Sequence, residues 1–399
     1  MKKTTCLLFI LLIGSYYINA SATPSYYAVV DGGSSGSRML LYKYQCYSGK
    51  VKVEELTLEK NKVAPGISSI VDSPNEVGEY IQPLIDSVKR VLTAQGITEK
   101  DINFYFLATA GMRVVSPVLQ KEVYTQLNKY INDKTKFNIG VIRTIPGKYE
   151  GAFDWIAYNY LAGKLFTDDT MGVLDMGGAS VEIAFATDKS IFNPDDKVSF
   201  MIDSKKFTLY SHSYLGLGQD LARSQYTNEP SCFPKGYPLP DQEKGTGEFN
   251  VSLIKLEKLI NVVHNVNKPS TIIPNIDKFV GFSGFYYTSN SKVFGLGKSF
   301  SIKALKDKGK EFVQHPWADS KKEYGSDPYL YMYSFSSAFM SVLLEKGFGF
   351  NENTKLNVIN KINGTSVSWT LGAAVYYAEG NAEAVKDKNS ESIQKQKAA

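Results

Sequence analysis

The sequence contains little of the chemistry that histidine and cysteine provide. Its 399 residues include three histidines and three cysteines. His212, His264 and His315 each stand alone, without a second ligand at the spacing of a zinc site. Cys46 and Cys232 follow the N-terminal segment and could pair in an oxidising compartment, but the sequence leaves open whether they do. A histidine- or cysteine-based metal site is therefore not expected.

Long apolar runs and blocks of one charge are also missing. The apolar run 6–13 follows Lys2 and Lys3, precedes Ala20-Ser21-Ala22, and is too short to span a bilayer. This order is typical of a secretory signal peptide cleaved after Ala22. The net charge is +5, with 45 basic and 40 acidic residues spread along the chain, so no nucleic-acid-binding arm is indicated. We therefore expect a signal peptide over 1–22, a polar tail over 381–399, and a secreted or periplasmic monomer with no membrane anchor and no nucleic-acid partner.

What is present is an alternation of short apolar runs with helical patterns, which predicts an α/β fold. The predicted strands are Tyr26–Val30, Arg38–Tyr44, Phe104–Ala108, Met171–Leu174 and Val181–Ala186. The predicted helices are Asn75–Gln95, Pro117–Asn132, Gly151–Leu161, Leu330–Glu345 and Ser368–Glu379.

One pattern occurs twice. Residues 26–44 read YYAVVDGGSSGSRMLLYKY, and residues 171–186 read MGVLDMGGASVEIAFA. Each is an apolar strand, an aspartate, a turn of small residues and a second strand, with Asp31 in the first copy and Asp175 in the second. Two unrelated hairpins would be the ordinary explanation of either copy alone. The aspartate at the same place in both favours an internal repeat, and hence two related lobes.

The turns of these hairpins are suited to phosphate. Successive backbone N–H groups in a turn of small residues form a nest for an anion, and serine hydroxyls add donors. An aspartate at the strand end before each nest can hold Mg²⁺, which prefers oxygen ligands and keeps several of its waters. The nests are formed by Gly32, Gly33, Ser34, Ser35 and Gly36, and by Gly177, Gly178, Ala179 and Ser180. The sequence therefore predicts a phosphate clamp with a divalent cation between two lobes.

Two segments between the hairpins add candidate groups. Thr109 follows a strand and can offer its hydroxyl to a phosphate or to a metal-bound water. Glu150 lies where a loop becomes a helix, and an ordinary reading is a first-turn glutamate that favours the helix dipole. Beside a phosphate clamp, Glu150 becomes the candidate base for an attacking water.

Two other motifs are weighed against this interpretation. Gly297-Lys298-Ser299 resembles the end of a P-loop, but residue 292 is lysine where that motif needs glycine. The segment 32–36 fits the G-x-S-x-G nucleophile elbow of serine esterases, which must lead from a strand into a helix. Here it leads into a predicted strand, and no histidine has a triad context.

Five segments together resemble the conserved regions of the ectonucleoside triphosphate diphosphohydrolases, or apyrases. In order they read DGGSSGSR, ATAGMR, GKYEGAFDWIAYNYL, DMGGASVEIAF and SWTLGAA. The resemblance runs from Tyr26 to Tyr377 and implies the two-lobed fold of actin, heat-shock ATPases and sugar kinases, with the active site in the interlobe cleft. It implies a first lobe over 23–147, a second lobe over 148–365, and a last helix, 366–380, that returns to the first lobe.

The resemblance also implies roles for individual residues. Asp31 and Asp175 hold Mg²⁺ or Ca²⁺ through waters, and Glu150 is the general base that activates water for attack on nucleoside tri- and diphosphates. Thr109 supports the water shell of the metal, and Trp369 lines the site behind it. The phosphates are expected to contact Ser34, Ser35, Gly36, Ala110, Gly178, Ala179 and Ser180.

Two departures from the family are visible. Most members have glutamine where this chain has Glu182, and an ionised glutamate can only accept hydrogen bonds. A glutamate there resembles the exopolyphosphatases, which share the fold. We therefore place Glu182 among the metal-site residues and expect it to affect rate or metal preference. The several cysteines and the membrane anchors of the animal relatives are missing, which suggests a soluble, bacterial-type member.

The nucleobase pocket is the least defined part of the expected site. Aromatic side chains of the second lobe should stack on the base, and the segments 281–287 and 327–333 are candidates. Tyr329 and Tyr333 are spaced to share one face of a helix and to bracket a flat ring, although core packing explains such aromatics equally well. The other hypotheses are an exopolyphosphatase-like hydrolase, a catalytically silent nucleotide-binding exoprotein and a kinase of the same fold. The presence of Glu150 with both aspartates favours hydrolysis.

Overall fold

The computed structural model describes residues 23–47 and 50–381. The predicted signal peptide, residues 1–22, lies outside the described residues, as does the predicted tail apart from Asn381. Among the residues described, no helix is both long enough and apolar enough to cross a bilayer. Cys46 and Cys232 are both free thiols, and burial raises the pKa of the Cys232 thiol to about 11.

The first half of the chain forms one mixed sheet. Its strands are β1 (Ser25–Gly32), β2 (Ser37–Tyr47), β3 (Lys50–Leu56), β4 (Lys62–Val63), β5 (Ile102–Ala108) and β6 (Asn138–Thr144). Their order is β3-β2-β1-β5-β6, with β4 pairing β2. The helices associated with this sheet in sequence are α1 (Val77–Gln95), α2 (Ala110–Arg113) and α3 (Pro117–Lys134). One face of the sheet packs against α1 and α3 through an apolar core.

The second half forms a second sheet. Its strands are β7 (Gly172–Met176), β8 (Ser180–Ala186), β9 (Lys197–Ile202), β10 (Lys205–Leu215), β11 (Phe279–Gly281), β12 (Ser299–Ser301) and β13 (Lys355–Val358). Their order is β12-β13-β11-β7-β8-β10-β9, and a separate hairpin joins β14 (Lys361–Ile362) to β15 (Thr365–Ser366). The remaining helices are α4 (Gly147–Leu161), α5 (Gln219–Ser224), α6 (Phe249–Lys258), α7 (Gly284–Ser289), α8 (Ile302–Gln314), α9 (Trp317–Tyr324), α10 (Tyr333–Val342) and α11 (Trp369–Ala378).

The two sheets repeat the same strand directions. In the first, β1 runs antiparallel to β2 and parallel to β5, which is parallel to β6. In the second, β7 runs antiparallel to β8 and parallel to β11, which is parallel to β13. The register of the two hairpins is also the same, because Asp31 pairs with Arg38 and Asp175 pairs with Glu182. The internal repeat predicted from the sequence is therefore confirmed.

The helices α4 and α11 connect the two halves. They pack against each other, and α11 also contacts β1, β2 and β9. The Tyr42 hydroxyl of β2 and the Thr370 hydroxyl of α11 are hydrogen-bonded at 2.9 Å. Trp155 of α4 is fully buried in the core that these helices form with both sheets. This shared core fixes the position of the first turn of α4 relative to both hairpins.

Most predicted elements are found within a few residues of their expected limits. The exception is the helix predicted over 330–345, which is divided into a 3₁₀ turn at Leu330–Met332, the helix α10 and a π-helical turn at Leu343–Gly347. Apolar residues on every side of α10 are buried, so tertiary packing rather than one amphipathic face determines its limits.

Candidate active site

The first hairpin turn lies between β1 and β2 and is covered by the chain around β4. A Cβ on Gly36 would lie 2.6 Å from the carbonyl oxygen of Val63, so only glycine allows this approach. Gly111 of α2 approaches the turn from another side, because a Cβ there would lie 2.8 Å from Ser34 Cα. The turn leads into the strand β2, which excludes the nucleophile elbow of an esterase.

The second hairpin turn lies between β7 and β8 and is covered by the loop that follows β10. The Gly216 amide donates to the carbonyl of Ala179 at 2.8 Å, and the Asp220 amide donates to the carbonyl of Gly178 at 2.9 Å. The loop and the first turn of α5 therefore bind carbonyl oxygens of the hairpin turn, while the hairpin turn itself lines the cleft. An anion that enters the cleft meets small residues there, as the sequence predicts.

The two turns face each other across a cleft. A Cβ on Gly178 would lie only 2.9 Å from the Ser34 hydroxyl oxygen, so the turns approach within contact distance at this point. The cleft has a volume of about 540 Å³. Its walls contain the seven residues for which the family resemblance implies phosphate contacts, and the candidate base: Ser34, Ser35, Gly36, Ala110, Gly178, Ala179, Ser180 and Glu150. They also contain Asp31, Asp175, Thr109 and Trp369. Gly32 of the first predicted nest does not line the cleft.

Glu150 lies in the first turn of α4, which begins four residues before the start at Gly151 that the sequence predicts. The helix begins at Gly147, where a side chain would collide with Ser213 of β10. A Cβ on Gly151 would lie 2.8 Å from the Ser211 hydroxyl. These two glycines allow the N-terminal turn of α4 to lie directly on β10, and this contact brings Glu150 to the cleft wall.

Arg113 holds the carboxylate of Glu150. Its Nη2 donates to Glu150 Oε2 at 2.6 Å, and both side chains are only about one-tenth exposed. The same guanidinium donates from Nε to the carbonyl of Ile145 at 3.1 Å and from Nη1 to the Ser213 hydroxyl at 3.2 Å. Sequence reasoning missed Arg113 as a functional residue, although it ends the quoted segment ATAGMR.

Glu182 is not in the wall of the cleft. Its side chain is 1% exposed, and Oε1 accepts hydrogen bonds from the Ser180 and Ser213 hydroxyls, each at 2.6 Å. Arg113 Nη1 lies 3.9 Å from the same oxygen, whereas Oε2 has no protein partner. Burial and the neighbouring Glu150 raise the pKa of Glu182 well above its ordinary value. The residue therefore acts on the cleft through Arg113 and Ser180 rather than by direct contact.

The two hairpin aspartates lie in an unfavourable electrostatic environment. Burial and the charge of Glu150 raise the pKa of Asp31 to about 8, although Arg38 and Lys62 oppose the shift. Burial raises the pKa of Asp175 to about 6, and a hydrogen bond from Ser283 opposes the shift. Both effects follow from bringing like charges together away from water. A bound cation would remove this penalty.

Asp154 is a further carboxylate of the cleft that sequence reasoning missed. It lies one helical turn after Glu150, is 2% exposed, and lines the cleft. Its Oδ2 atom is buried and has no hydrogen-bond partner. Burial and the charges of Asp175 and Glu150 raise the pKa of Asp154 well above its ordinary value. The spacing of four residues from Glu150 was the available signal, because it places both carboxylates on one helix face.

Thr109 and Trp369 occupy the expected parts of the cleft wall. Thr109 precedes α2, is 5% exposed, and its amide donates to the carbonyl of Gly32 at the end of β1. Trp369 opens α11 and stacks on Phe153 of α4 with ring centroids 6.3 Å apart. Trp369 therefore packs against the helix that carries Glu150, and the backbone of Thr109 is bonded to the end of the strand that carries Asp31.

The prediction that Tyr329 and Tyr333 share one helix face and stack on either side of a flat ring is wrong. Tyr329 precedes the 3₁₀ turn at 330–332, so it does not share a helix with Tyr333. Tyr333 is 6% exposed within the apolar core, and its hydroxyl donates to Asp327 at 2.8 Å. Neither tyrosine lines the cleft. Tyr287, from the other candidate segment, does line the cleft and is 60% exposed.

The oxygen groups of the cleft fit a hydrated divalent cation. Asp175 Oδ1 is buried without a protein partner, although the carboxylate is next to the cleft. Among the described histidines, cysteines and acidic residues, no three lie close enough to bind one ion directly. The donor set thus suits an ion such as Mg²⁺, which binds through one or two carboxylates and retains waters.

Comparison with known proteins identifies the family. The profile of the GDA1/CD39 (nucleoside phosphatase) family matches residues 18–236 and 242–394. The chain belongs to this family. The nucleoside-triphosphatase ntp-1 of Caenorhabditis elegans is 29% identical over 89% of this chain and 73% of its own length. The bovine ectonucleoside triphosphate diphosphohydrolase 1 is 27% identical over 86% of this chain and 79% of its own length.

Solved structures support the fold of this nucleoside phosphatase family member. A nucleoside triphosphate hydrolase from Neospora caninum has a TM-score of 0.63 at 16% identity and covers 89% of this chain and 92% of its own. A Ppx/GppA protein from Aquifex aeolicus has a TM-score of 0.53 at 16% identity and covers 90% of this chain and 100% of its own. The two-lobed, actin-like ATPase fold expected from the sequence is confirmed.

Proposed function

We propose that the chain is a secreted apyrase, which hydrolyses nucleoside tri- and diphosphates to monophosphates and phosphate with the help of Mg²⁺ or Ca²⁺. The observation that carries the proposal is the meeting of the two hairpin turns in one cleft, with Glu150 in the wall between them. Membership of the nucleoside phosphatase family supports the substrate class. The names of the nematode and bovine relatives support hydrolysis of triphosphates and diphosphates.

The phosphate chain binds between the turns. Backbone amides and hydroxyls of Ser34, Ser35 and Gly36 bind it from one lobe, with Ala110 beside them. Gly178, Ala179 and Ser180 bind it from the other lobe. Arg38 and Lys62 also line the cleft and add positive charge on the side of the first turn. Binding by both turns positions the terminal phosphate for attack. Such positioning accounts for much of the catalysis in phosphoryl transfer.

Asp31 and Asp175 hold the cation through its waters. Their raised pKa values support this role, because a positive partner would offset the cost of ionising buried carboxyl groups. Thr109 and Trp369 border that position, and Glu182 supports it from behind Ser180. When bound, the cation would neutralise charge that develops on the phosphoryl oxygens.

Glu150 is the general base. Its carboxylate accepts a proton from the attacking water as the water oxygen bonds to the terminal phosphorus, and the bond from phosphorus to the bridging oxygen breaks. The electron pair stays on the bridging oxygen of the shortened nucleotide. The hydrogen bond from Arg113 fixes Oε2 of Glu150, so the carboxylate keeps one orientation toward the water.

The proposal includes the export and organisation expected from the sequence. The signal peptide is residues 1–22, and cleavage releases a monomer with lobes over 23–147 and 148–365. Residues 366–380 return to the first lobe, and the contacts of α11 with β1 and β2 support this. Export would bring the enzyme to nucleotides outside the cytoplasm.

The direct test is phosphate release from ATP, ADP and polyphosphate by the chain lacking residues 1–22, with Mg²⁺ and then with EDTA. Release from ATP and ADP that EDTA stops is the expected result. Release from none of them would favour the silent nucleotide-binding hypothesis.

An exopolyphosphatase is the second candidate, and Glu182 is the observation that favours it. The burial of Glu182 behind Ser180 weakens this argument, because the side chain does not touch the cleft. Release from polyphosphate alone would nevertheless establish the second candidate. A Glu182→Gln variant keeps Oε1 as acceptor for both serine hydroxyls, so we expect it to retain hydrolysis of ATP and ADP.

A further inference from the structure

Asp154 is a carboxylate of the cleft to which no role has been given above. It belongs to α4, and its side chain is 2% exposed in the wall of the cleft. The charged groups that act on it electrostatically are Asp175, Glu150, Glu182 and Asp31, and all four oppose its ionisation. No arginine or lysine is among the groups with the largest effect on the pKa of Asp154. A buried carboxylate among carboxylates is costly unless something positive enters the site.

The unpartnered oxygen of Asp154 supplies an independent observation. Oδ2 is buried, and no protein group donates a hydrogen bond to it. Protonation would remove the charge but would leave this oxygen without a partner, so it would not repair the site. A water that belongs to a cation would supply both a donor and positive charge.

We propose that Asp154 is an additional ligand to the water shell of the divalent cation, which α4 contributes one turn after Glu150. The inference rests on the proposed function only in placing a cation between the hairpins. It extends the site from the two hairpin aspartates to a third carboxylate on a different element. The consequence is a tighter cation site than two aspartates alone would provide.

Cation binding to the purified, nucleotide-free enzyme tests the proposal without relying on activity. Titration calorimetry with CaCl₂ and with MgCl₂ compares the wild type with Asp154→Asn, and thermal unfolding is measured in EDTA. We expect Asp154→Asn to weaken the affinity for the cation by about 10- to 100-fold, as for other groups that support a metal from outside its direct ligands. We expect the variant to be at least as thermostable as the wild type in EDTA, because asparagine replaces a carboxyl group whose ionisation is unfavourable at this position.

The matched control is Asp188→Asn, because the Asp188 side chain is 90% exposed. It should leave the affinity for both cations unchanged. Wild-type affinity in Asp154→Asn would overturn the proposal, and so would a wild type that binds neither cation. Weaker binding together with a lower unfolding temperature in EDTA would also overturn it, because Asp154 would then be a structural residue. Weaker binding by Asp154→Asn in an enzyme that hydrolyses no nucleotide would support Asp154 as a ligand and refute the apyrase function.

Discussion

Arg113, the last residue of α2, donates a hydrogen bond from Nη2 to Oε2 of Glu150 in the first turn of α4 at 2.6 Å. The same guanidinium lies 3.9 Å from Glu182 of the second hairpin. The guanidinium group of Arg113 thus connects Glu150, the candidate base, with Glu182, where most of the family has glutamine. The geometry makes the orientation of Glu150 depend on both lobes.

Glu150→Gln should reduce hydrolysis of ATP and ADP by about 10²- to 10⁴-fold while nucleotide affinity stays close to that of the wild type. The amide keeps the size of the side chain but cannot accept a proton from water. Phosphate release and titration calorimetry with ADP measure the two quantities. Glu122→Gln changes an exposed glutamate of α3 and serves as the control. Substantial turnover by Glu150→Gln would refute the assignment of the base.

Arg113→Met should destabilise the protein by about 3 kcal/mol, because it leaves buried carboxylates without their cation. Urea unfolding measures the free energy of unfolding, and kcat for ATP should fall as well. Arg90→Met is the control, because Arg90 is 54% exposed and its partner Glu59 is 77% exposed. Exposed ion pairs contribute little to stability.

A double variant distinguishes two causes of the lost stability: the uncompensated charge of Glu150 and the loss of the other contacts of Arg113. In the double variant Arg113→Met, Glu150→Gln, part of the loss should be recovered, because one uncompensated charge has been removed. Equal losses in the single and double variants would mean that Arg113 stabilises the fold through its other contacts.

The hairpins could be predicted because their chemistry is local. An aspartate after an apolar strand, followed by a run of small residues, predicts both the turn and a phosphate-binding use for it, so the sequence alone predicts the position of Asp31 and Asp175. Arg113 could not be paired with Glu150 in the same way, because the contact joins residues 37 positions apart. Asp154 was hidden by a regular helical pattern in which a buried carboxylate looks like any other polar position.

The predicted pairing of Tyr329 and Tyr333 in a nucleobase pocket is wrong for a different reason. Two tyrosines four residues apart, Tyr329 and Tyr333, are typical of a site that binds a flat ring, but the same pattern is equally common in a packed core. The burial of Tyr333 depends on the division of residues 330–347 into a 3₁₀ turn, the helix α10 and a π-helical turn. Tertiary contacts determine where these three segments begin and end. Tyr287 was named only as part of a segment, and its exposure within the cleft becomes visible only in the structure.

Tyr287→Ala should raise KM for ATP by about fivefold to a hundredfold, because one aromatic stacking contact with a base contributes about 1–3 kcal/mol. KM for inorganic tripolyphosphate, which has no base, should stay unchanged. Tyr329→Ala is a matched control, because Tyr329 is 58% exposed and Tyr287 is 60% exposed, but only Tyr287 lines the cleft. An equal rise in KM for tripolyphosphate would show that Tyr287 contacts phosphate or shapes the cleft rather than stacking on the base.

The cation-free protein should lose stability as the pH rises from about 4 toward 8. Burial raises the pKa of Asp31 to about 8 and that of Asp175 to about 6, whereas an unfolded aspartate titrates near 3.9. Between those values the folded state holds protons that the unfolded state has released, so stability decreases with pH. The contribution is complete below about pH 4 and is lost as the pH passes the raised pKa values.

Thermal unfolding in EDTA from pH 4.5 to 8.5 checks this sign. The unfolding temperature of Asp31→Asn should fall less with pH than that of the wild type, because asparagine does not titrate. Saturating Ca²⁺ should flatten the wild-type profile, since the cation takes the place of the proton between the two hairpins. The same slope in the wild type and Asp31→Asn would show that Asp31 ionises normally in the folded protein. In that case the cleft would need no cation to balance the charge of Asp31.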